Sequence, residues 1–199
     1  MKRENEALVE QAKAILDLNW TGEYTQPGPR LYPHQWSWDS ALIALAYAHY
    51  DPGRAEKELR YLFEAQWTNG LLPQIVFNPR FRDYFPGPSF WHAKDSPHTT
   101  KRFETSGVVM PTVHATAVLA FYKAAGQEAK EFLGYAFRKL KAWREYLYCD
   151  RDPGGRGSYT SAIRGSRGWT TPRCGIRYCS GCTSGRSRSQ ITSAPISTP

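Results

Sequence analysis

Ten consecutive residues, Ser40-Ala41-Leu42-Ile43-Ala44-Leu45-Ala46-Tyr47-Ala48-His49, contain no Asp, Glu, Lys or Arg. As a helix this run is apolar on nearly all sides, whereas a surface helix keeps one polar face. Such a helix has to be enclosed by other elements, as in the inner ring of a double-layered structure. The segment after it reads differently. Asp51-Pro52 offers an N-cap followed by proline in the first turn. Ala55, Leu59, Leu62, Phe63 and Gln66 then continue an amphipathic helix, expected to stop near Asn69-Gly70. An enclosed helix alternating with an amphipathic one is the pattern of stacked helical hairpins.

The same alternation extends along the chain. Residues 4–18 place Ala7, Leu8, Ala12, Ile15 and Leu16 on one stripe, with charges opposite. Residues 19–35 read as a loop rich in Gly, Pro and aromatics. Residues 71–108 form a long irregular stretch carrying Phe77, Phe81, Tyr84, Phe85, Phe90 and Trp91. Loops of that length inside a compact domain are uncommon and often functional. Another enclosed helix is expected from His114 to about Ala125, after Pro111 and before Gly126. Residues 127–148 give a further helix with Phe132, Leu133, Ala136, Phe137, Leu140 and Trp143 as its inner face. No strand pattern competes with these helices, and the expected class is all-α.

After Asp152-Pro153 every periodic signal stops, which sets a boundary between residues 1–153 and 154–199. The charge divides at the same place. The net +8 of the chain comes from 26 Lys and Arg against 18 Asp and Glu, and residues 154–199 hold seven Arg with no Lys and no acid. The imbalance therefore belongs to the tail, not to a basic face of the helical part. The tail is rich in Ser, Thr and Gly with scattered apolar residues, a composition expected to be disordered. The chain holds no apolar run long enough to span a bilayer. Met1-Lys2-Arg3-Glu4-Asn5-Glu6 leads into an amphipathic pattern without the apolar core of a signal peptide, so a cytoplasmic location is expected.

Separated motifs carry a resemblance. Tyr32-Pro33-His34-Gln35-Trp36-Ser37-Trp38-Asp39-Ser40 resembles glycoside hydrolases of family sixty-three, with mannosylglycerate hydrolases nearest and processing α-glucosidase and trehalase more distant. The likeness continues through Arg54-Ala55-Glu56-Lys57-Glu58-Leu59, Gln66-Trp67-Thr68-Asn69-Gly70-Leu71-Leu72-Pro73, and Thr105-Ser106-Gly107 to Val118. It implies an (α/α)6 toroid of about twelve helices, of which this chain would supply about five. In a ring closed only in part, Leu42, Leu45 and their neighbours would face water. The resemblance also implies that Asp39 accepts from sugar hydroxyls and that Trp36 or Trp38 walls the ring. Gln74 completes the expected substrate-binding set. The chemistry suits the residue types, since a carboxylate accepts from adjacent hydroxyls and an aromatic face covers the C–H face of a pyranose. The plain alternative is that Asp39 caps a helix starting at Ser40, with both Trp in the core. Capping and sugar binding are compatible. Where relatives carry Gln before the proline of the Ser-Gly motif, this chain has Met110, which leaves the leaving-group side of the pocket open. The five His show no metal-ligand spacing, and no cofactor is expected.

The tail reads differently in a shifted frame. Relatives continue after a loop like Asp152-Pro153-Gly154 with a motif resembling His-Pro-Trp-Glu-Ser-Gly-(Met or Leu)-Asp-Asn-Ser-Pro-x-Trp-Asp, whose first Asp is the general acid. Take each codon as the third base of one residue and the first two of the next. Trp169-Thr170 is then TGG-ACN, and the shifted codon is GAC, Asp, whichever Thr codon is used. Ala162 through Pro172 permits His-Pro-Trp-Glu-Ser-Gly-Met-Asp-Asn-Ser, and Pro172 through Ile176 permits Pro-Leu-Trp-Asp. A frameshift between about Pro153 and Ser158 accounts for this and for an Arg-rich tail without acids. The rival readings are a zinc site at Cys174, Cys179 and Cys182 or an RNA-binding basic tail. Zinc needs a fourth ligand, and no His lies in the tail.

The expected function is therefore part of an inverting α-glycoside hydrolase for a glucoside, mannoside or related oligosaccharide, with mannosylglycerate among the candidates. It would use one carboxylate as acid and one as base, and its partner would be a small carbohydrate, with no membrane and no nucleic acid. The acid would lie in the shifted segment and the base outside this chain, so the chain as given would be inactive. The alternatives are a non-catalytic helical interaction or carbohydrate-binding module, or nucleic-acid binding through the tail. Sequencing the gene tests the frame: one restored frame after residue 153 should read Glu-Ser-Gly-Met-Asp-Asn-Ser-Pro and continue as helical protein. A stop codon soon after position 199 in every frame removes the frameshift.

Overall fold

The computed structural model describes residues 2–152. The expectations for residues 154–199, disorder and a misread frame, lie outside the described residues. The elements are α1 (Lys2–Asn19), β1 (Gln35–Trp36), α2 (Ser37–Tyr47), α3 (Pro52–Glu64), β2 (Ile75–Val76), α4 (His114–Ala125) and α5 (Lys130–Asp150), with short 3-10 turns between β2 and α4 and before α5. The described residues are all-α apart from one two-stranded ribbon, in which Gln35 pairs with Val76 and Trp36 with Ile75, antiparallel. Two-residue strands are too short to leave an alternating pattern, which is why the sequence does not announce them.

Helix starts and stops follow local chemistry. Asp51 caps α3 by accepting from the Arg54 N–H at 3.0 Å, and Pro52 stands in the first turn where its missing N–H costs nothing. Gly126, at φ +60°, closes α4. Two expected boundaries move. Helix α2 begins at Ser37, not Ser40, with Trp36 at the N-cap and Asp39 inside the first turn. Helix α3 ends at Glu64, short of Asn69-Gly70. The Gln66–Gly70 segment turns instead onto α5, with Gln66 Nε2 donating to Gly70 O and Lys139 O, both at 2.9 Å.

Helix α2 packs on α3 and α4, α4 on α5, and α5 reaches α3, giving two adjoining helical hairpins. Leu59, Leu62, Phe63, Phe121, Phe132 and Trp143 form the core between them, with Phe121 and Phe132 edge to face at 5.2 Å. The last turn of α1 is held by an Arg54–Asp17 ion pair, and the Arg54 guanidinium lies over Trp20 and Tyr47. The rest of α1 is less engaged: Leu8, Val9, Ile15 and Leu18 are exposed, and of the expected stripe only Leu16 packs on the core.

The helices read as enclosed are buried on one side only. In α2, Ala41, Ala44 and Tyr47 are buried while Leu42 is 49% exposed and Leu45 half-buried. In α4, Leu119 is exposed beside Ala115 and Thr116. On α5, Phe132, Ala136 and Trp143 are buried as expected, but Phe137 is 65% exposed. Phe137 sits one position beyond Ala136, so the helix turns it away from the face that meets α3 and α4. None of the helices among the described residues is long and apolar enough to cross a membrane.

Gly70 and Leu42 give opposite expectations. Gly70 has φ +95°, and a Cβ there would lie 2.3 Å from the Ala142 carbonyl oxygen. Gly70→Ala should therefore destabilise by roughly 3 kcal/mol, from left-handed strain plus overpacking. Leu42→Gln, on the open face, should change stability by less than about 0.5 kcal/mol. Urea titrations of the two variants check both, and a large loss at Leu42 would mean that the open face is covered.

Candidate functional site

The irregular stretch from Leu71 to Val113 enters the interior at residues 71–77 and 105–108, where its backbone polar groups need partners, and is largely exposed or half-buried between them. Gln74 N–H donates to Val108 O at 2.8 Å, and Gln74 O accepts from Ser37 N–H at 2.9 Å. Ser106 N–H donates to Ile75 O at 3.0 Å, while Ser106 Oγ accepts from Ile75 N–H at the same distance. Phe77 N–H donates to Glu104 O at 2.9 Å, and Val76 bridges Thr105. Three segments, 35–37, 74–77 and 104–108, thus lie side by side across the start of α2. Trp67 fastens the third of them by donating its indole N–H to Thr105 Oγ1 at 2.9 Å.

This ladder brings the expected site residues together. Gln74 stands opposite Ser37, between Trp36 and Trp38 in register, and its side chain is half-buried. Trp38 is 39% exposed, the more open of the two indoles. Trp36 is half-buried and meets Tyr32 edge to face at 5.3 Å, and its buried Nε1 has no partner among the described residues. Asp39 is half-buried, and this desolvation raises its carboxyl above the usual carboxylate value. Hydrogen bonds from its own backbone N–H and from the Trp38 side chain oppose the rise. Asp39 is not the helix cap, because α2 starts two residues earlier. It lies in the first turn, where the helix dipole favours an acid.

Several residues around the segment were not singled out as site residues from the sequence. His114, the first residue of α4, is 1% exposed and lies 2.9 Å from Ser37 Oγ and 3.2 Å from Ser37 O through Nε2. This core residue also holds the segment that carries Trp38 and Asp39. Glu58 is fully buried and accepts from Thr25, Ser40 and Gln35, and burial pushes its carboxyl up to about 7. An acid at position 58 on the same stripe as Ala55, Leu59 and Leu62 was the available signal. His34 is buried against Phe77 and Tyr84 and accepts the Asn78 N–H on Nδ1 at 3.0 Å, while burial lowers it to about 4. Met110 is half-buried beyond the third segment. Among the described residues no group of three His, Cys, Asp or Glu side chains could hold a metal ion.

The protonation of His114 gives a test of the fold around the site. Burial lowers its pKa from 6.5 to about 4, so folding favours the neutral ring. That contribution is complete above pH 6.5 and is lost as pH falls through 4, and at 1.36 kcal/mol per pKa unit it amounts to about 3 kcal/mol. Glu58 has the opposite sign, since its raised pKa favours folding at low pH and loses that advantage as pH rises through 7. Comparison of variants separates the two. His114→Asn should lose less stability than the parent between pH 6.5 and 4, by up to about 3 kcal/mol in denaturant titrations. Identical pH slopes would mean that the ring is charged or exposed when folded.

The family described as mannosylglycerate hydrolase MGH1-like glycoside hydrolase domain matches residues 32–171. A mannosylglycerate hydrolase of Rubrobacter radiotolerans is 62% identical over 152 residues, covering 75% of this chain and 34% of that protein. A glucosylglycerate hydrolase of Mycolicibacterium hassiacum is 38% identical over 161 residues, covering 77% and 36%. The crystal structure of a family 63 mannosylglycerate hydrolase from Thermus thermophilus, in complex with Tris and D-glycerate, superposes with a TM-score of 0.65 at 42% identity, covering 73% of this chain and 34% of that one. The chain thus spans about a third of the length of these relatives.

Proposed function

The chain belongs to the mannosylglycerate hydrolase MGH1-like family of glycoside hydrolases, and from that membership we propose that it supplies one wall of the glycone pocket of an inverting α-glycoside hydrolase. The observation that carries the reading is the convergence of Trp38, Asp39 and Gln74 on one short ladder, with a half-open indole beside a half-buried carboxylate. In this reading Trp38 stacks on the pyranose, Asp39 accepts from adjacent hydroxyls, Gln74 offers an amide from the facing strand, and Trp36 backs the wall. The helical part is the N-terminal portion of a toroid, and the open face at Leu42 and Leu119 is where further helices of the ring would pack. The same open face is the observation behind the second reading, a helical module that binds a partner protein.

The names of the relatives support a hexosyl glycerate as the substrate. Two of those described are named for mannosylglycerate and one for glucosylglycerate, so the glycerate aglycone is the common part. Met110, in the place where the resemblance expects Gln, stands on the leaving-group side and removes one amide from that contact. Hydrolysis by inversion needs an acid and a water-activating base. The acid belongs to the Asp read from Trp169-Thr170 in the shifted frame, and the base to sequence beyond this chain, so the chain as given hydrolyses nothing. The partner is a small carbohydrate, no cofactor takes part, and the location is the cytoplasm.

The test is Asp39→Asn in the enzyme made by restoring the frame after residue 153. Hydrogen bonds to a charged acceptor contribute about 1.5–3 kcal/mol, so turnover of mannosylglycerate should fall roughly 10- to 150-fold. Thermal stability should hardly move, because Asn keeps the side-chain volume and only the favourable dipole contact is lost, about 0.3–1 kcal/mol. A variant that melts much earlier but turns over substrate at the parent rate would reduce Asp39 to a structural acid and remove the pocket assignment.

A further inference from the structure

The residues flanking the Trp36–Asp39 segment end on one side chain. Gln35, just before Trp36, donates its Nε2 amide to Glu58 Oε1 at 3.3 Å and to Glu58 O at 3.0 Å. Ser40, just after Asp39, donates its hydroxyl to the same Oε1 at 2.5 Å. The second oxygen, Oε2, accepts the Thr25 N–H at 2.7 Å. All four residues have no exposed surface. Burying a carboxylate is costly, and apolar packing would hold α3 against α2 without that cost. What an apolar residue could not do is bind both ends of a four-residue segment to one rigid point. Glu58 itself makes no hydrogen bond to Trp36, Trp38 or Asp39 among the described residues, so its effect on them passes through Gln35 and Ser40.

We infer that Glu58 is a positioning residue of the sugar pocket, clamping Gln35 and Ser40 on one carboxylate so that the Trp38 indole and the Asp39 carboxylate are held in the geometry that meets a pyranose. This rests on the reading of Trp36–Asp39 as a pocket wall. A residue that merely stabilised the hairpin would loosen the whole core when changed. A clamp affects the segment between its jaws and leaves the far core in place.

The experiment uses the 199-residue chain labelled with 5-fluorotryptophan, which gives one 19F NMR signal per Trp, assigned by single Trp→Phe variants. Trp67 and Trp143 lie in the core and report on the fold, while Trp36 and Trp38 report on the segment. The variants are Glu58→Gln, which keeps the volume and removes the charge, and Ser40→Ala, a milder change that removes one donor should the first fail to fold. Both should move or broaden the Trp36 and Trp38 signals and leave Trp67 and Trp143 in place. Titration of the same variants with mannosylglycerate in the enzyme made by restoring the frame after residue 153 should show affinity weakened at least about tenfold in Glu58→Gln and about threefold in Ser40→Ala, since hydrogen bonds to charged groups are the stronger ones. Unmoved Trp36 and Trp38 signals in both variants overturn the clamp, and so does a uniform shift of all the signals, which marks a purely structural acid. A frame-restored parent enzyme whose Trp36 and Trp38 signals ignore mannosylglycerate overturns the pocket reading instead. That failure is distinguishable, because the variant-specific shifts at Trp36 and Trp38 would persist without ligand.

Discussion

A carboxylate without access to water is held in place by what donates to it. Glu58 sits on the inner stripe of α3, where a leucine would be the ordinary choice, and receives hydrogen bonds from the loop at Thr25, from Gln35 of β1 and from Ser40 of α2. Desolvation raises its pKa to about 7, and the donors from Ser40, Thr25 and Gln35 hold the rise back. Removing any one donor leaves part of a buried charge uncompensated, so each of these segments has a single place where it can lie. The hairpin of α2 and α3, the entry of the chain into α2, and the loop after α1 are thus fixed by one side chain.

The ladder at the start of α2 extends that order to the rest of the site. Irregular backbone inside a helical body has no helix to satisfy its N–H and C=O groups, and water is excluded. Residues 35–37, 74–77 and 104–108 therefore satisfy one another. The consequence is that Gln74, otherwise remote in sequence, is brought opposite Ser37, the residue before Trp38 and Asp39. His114 adds a pin from α4, neutral because its burial disfavours the charged ring, and holds Ser37 through both hydroxyl and carbonyl. The helices supply the frame, and the paired non-helical segments fix where α2 begins and hence where Trp38 and Asp39 stand in its first turn.

The chain belongs to a family of glycoside hydrolases and spans about a third of the length of the relatives described. The open faces of α2 and α4 fit that setting. Leu42 and Leu119 are exposed apolar positions on helices whose opposite sides, at Ala41, Ala44, Ala117 and Val118, are buried. The aromatic loop that carries Phe85, Phe90 and Trp91 packs mainly on itself, with Phe85 and Phe90 edge to face at 5.5 Å.

What the chain's residues determined by themselves was the set of helices and the kinship. Local chemistry settled the Asp51-Pro52 start of α3 and the span of α4 from His114 to Ala125, because caps, prolines and glycines act over one turn. The motif around Trp36 and Asp39 pointed to its family without any coordinates, and the genetic code alone makes the shifted codon at Trp169-Thr170 an Asp codon. Tertiary structure decided the rest. Periodicity told that α2 is apolar all round but not which side meets protein, since that depends on which neighbours are present; the resemblance already put Leu42 toward water, and the packing leaves Leu42 open while it seals Ala44. It placed Phe137 on an inner face that the packing of α5 leaves in solvent. It read Asp39 as a possible cap, whereas pairing of β1 with β2 starts the helix at Ser37 and moves Asp39 into the first turn. The acid at position 58 on an apolar stripe marks itself but not its partners, and His114 leaves no local signal, because a hydrogen bond spanning 18 or 77 residues exists only once the chain has folded to bring its ends together.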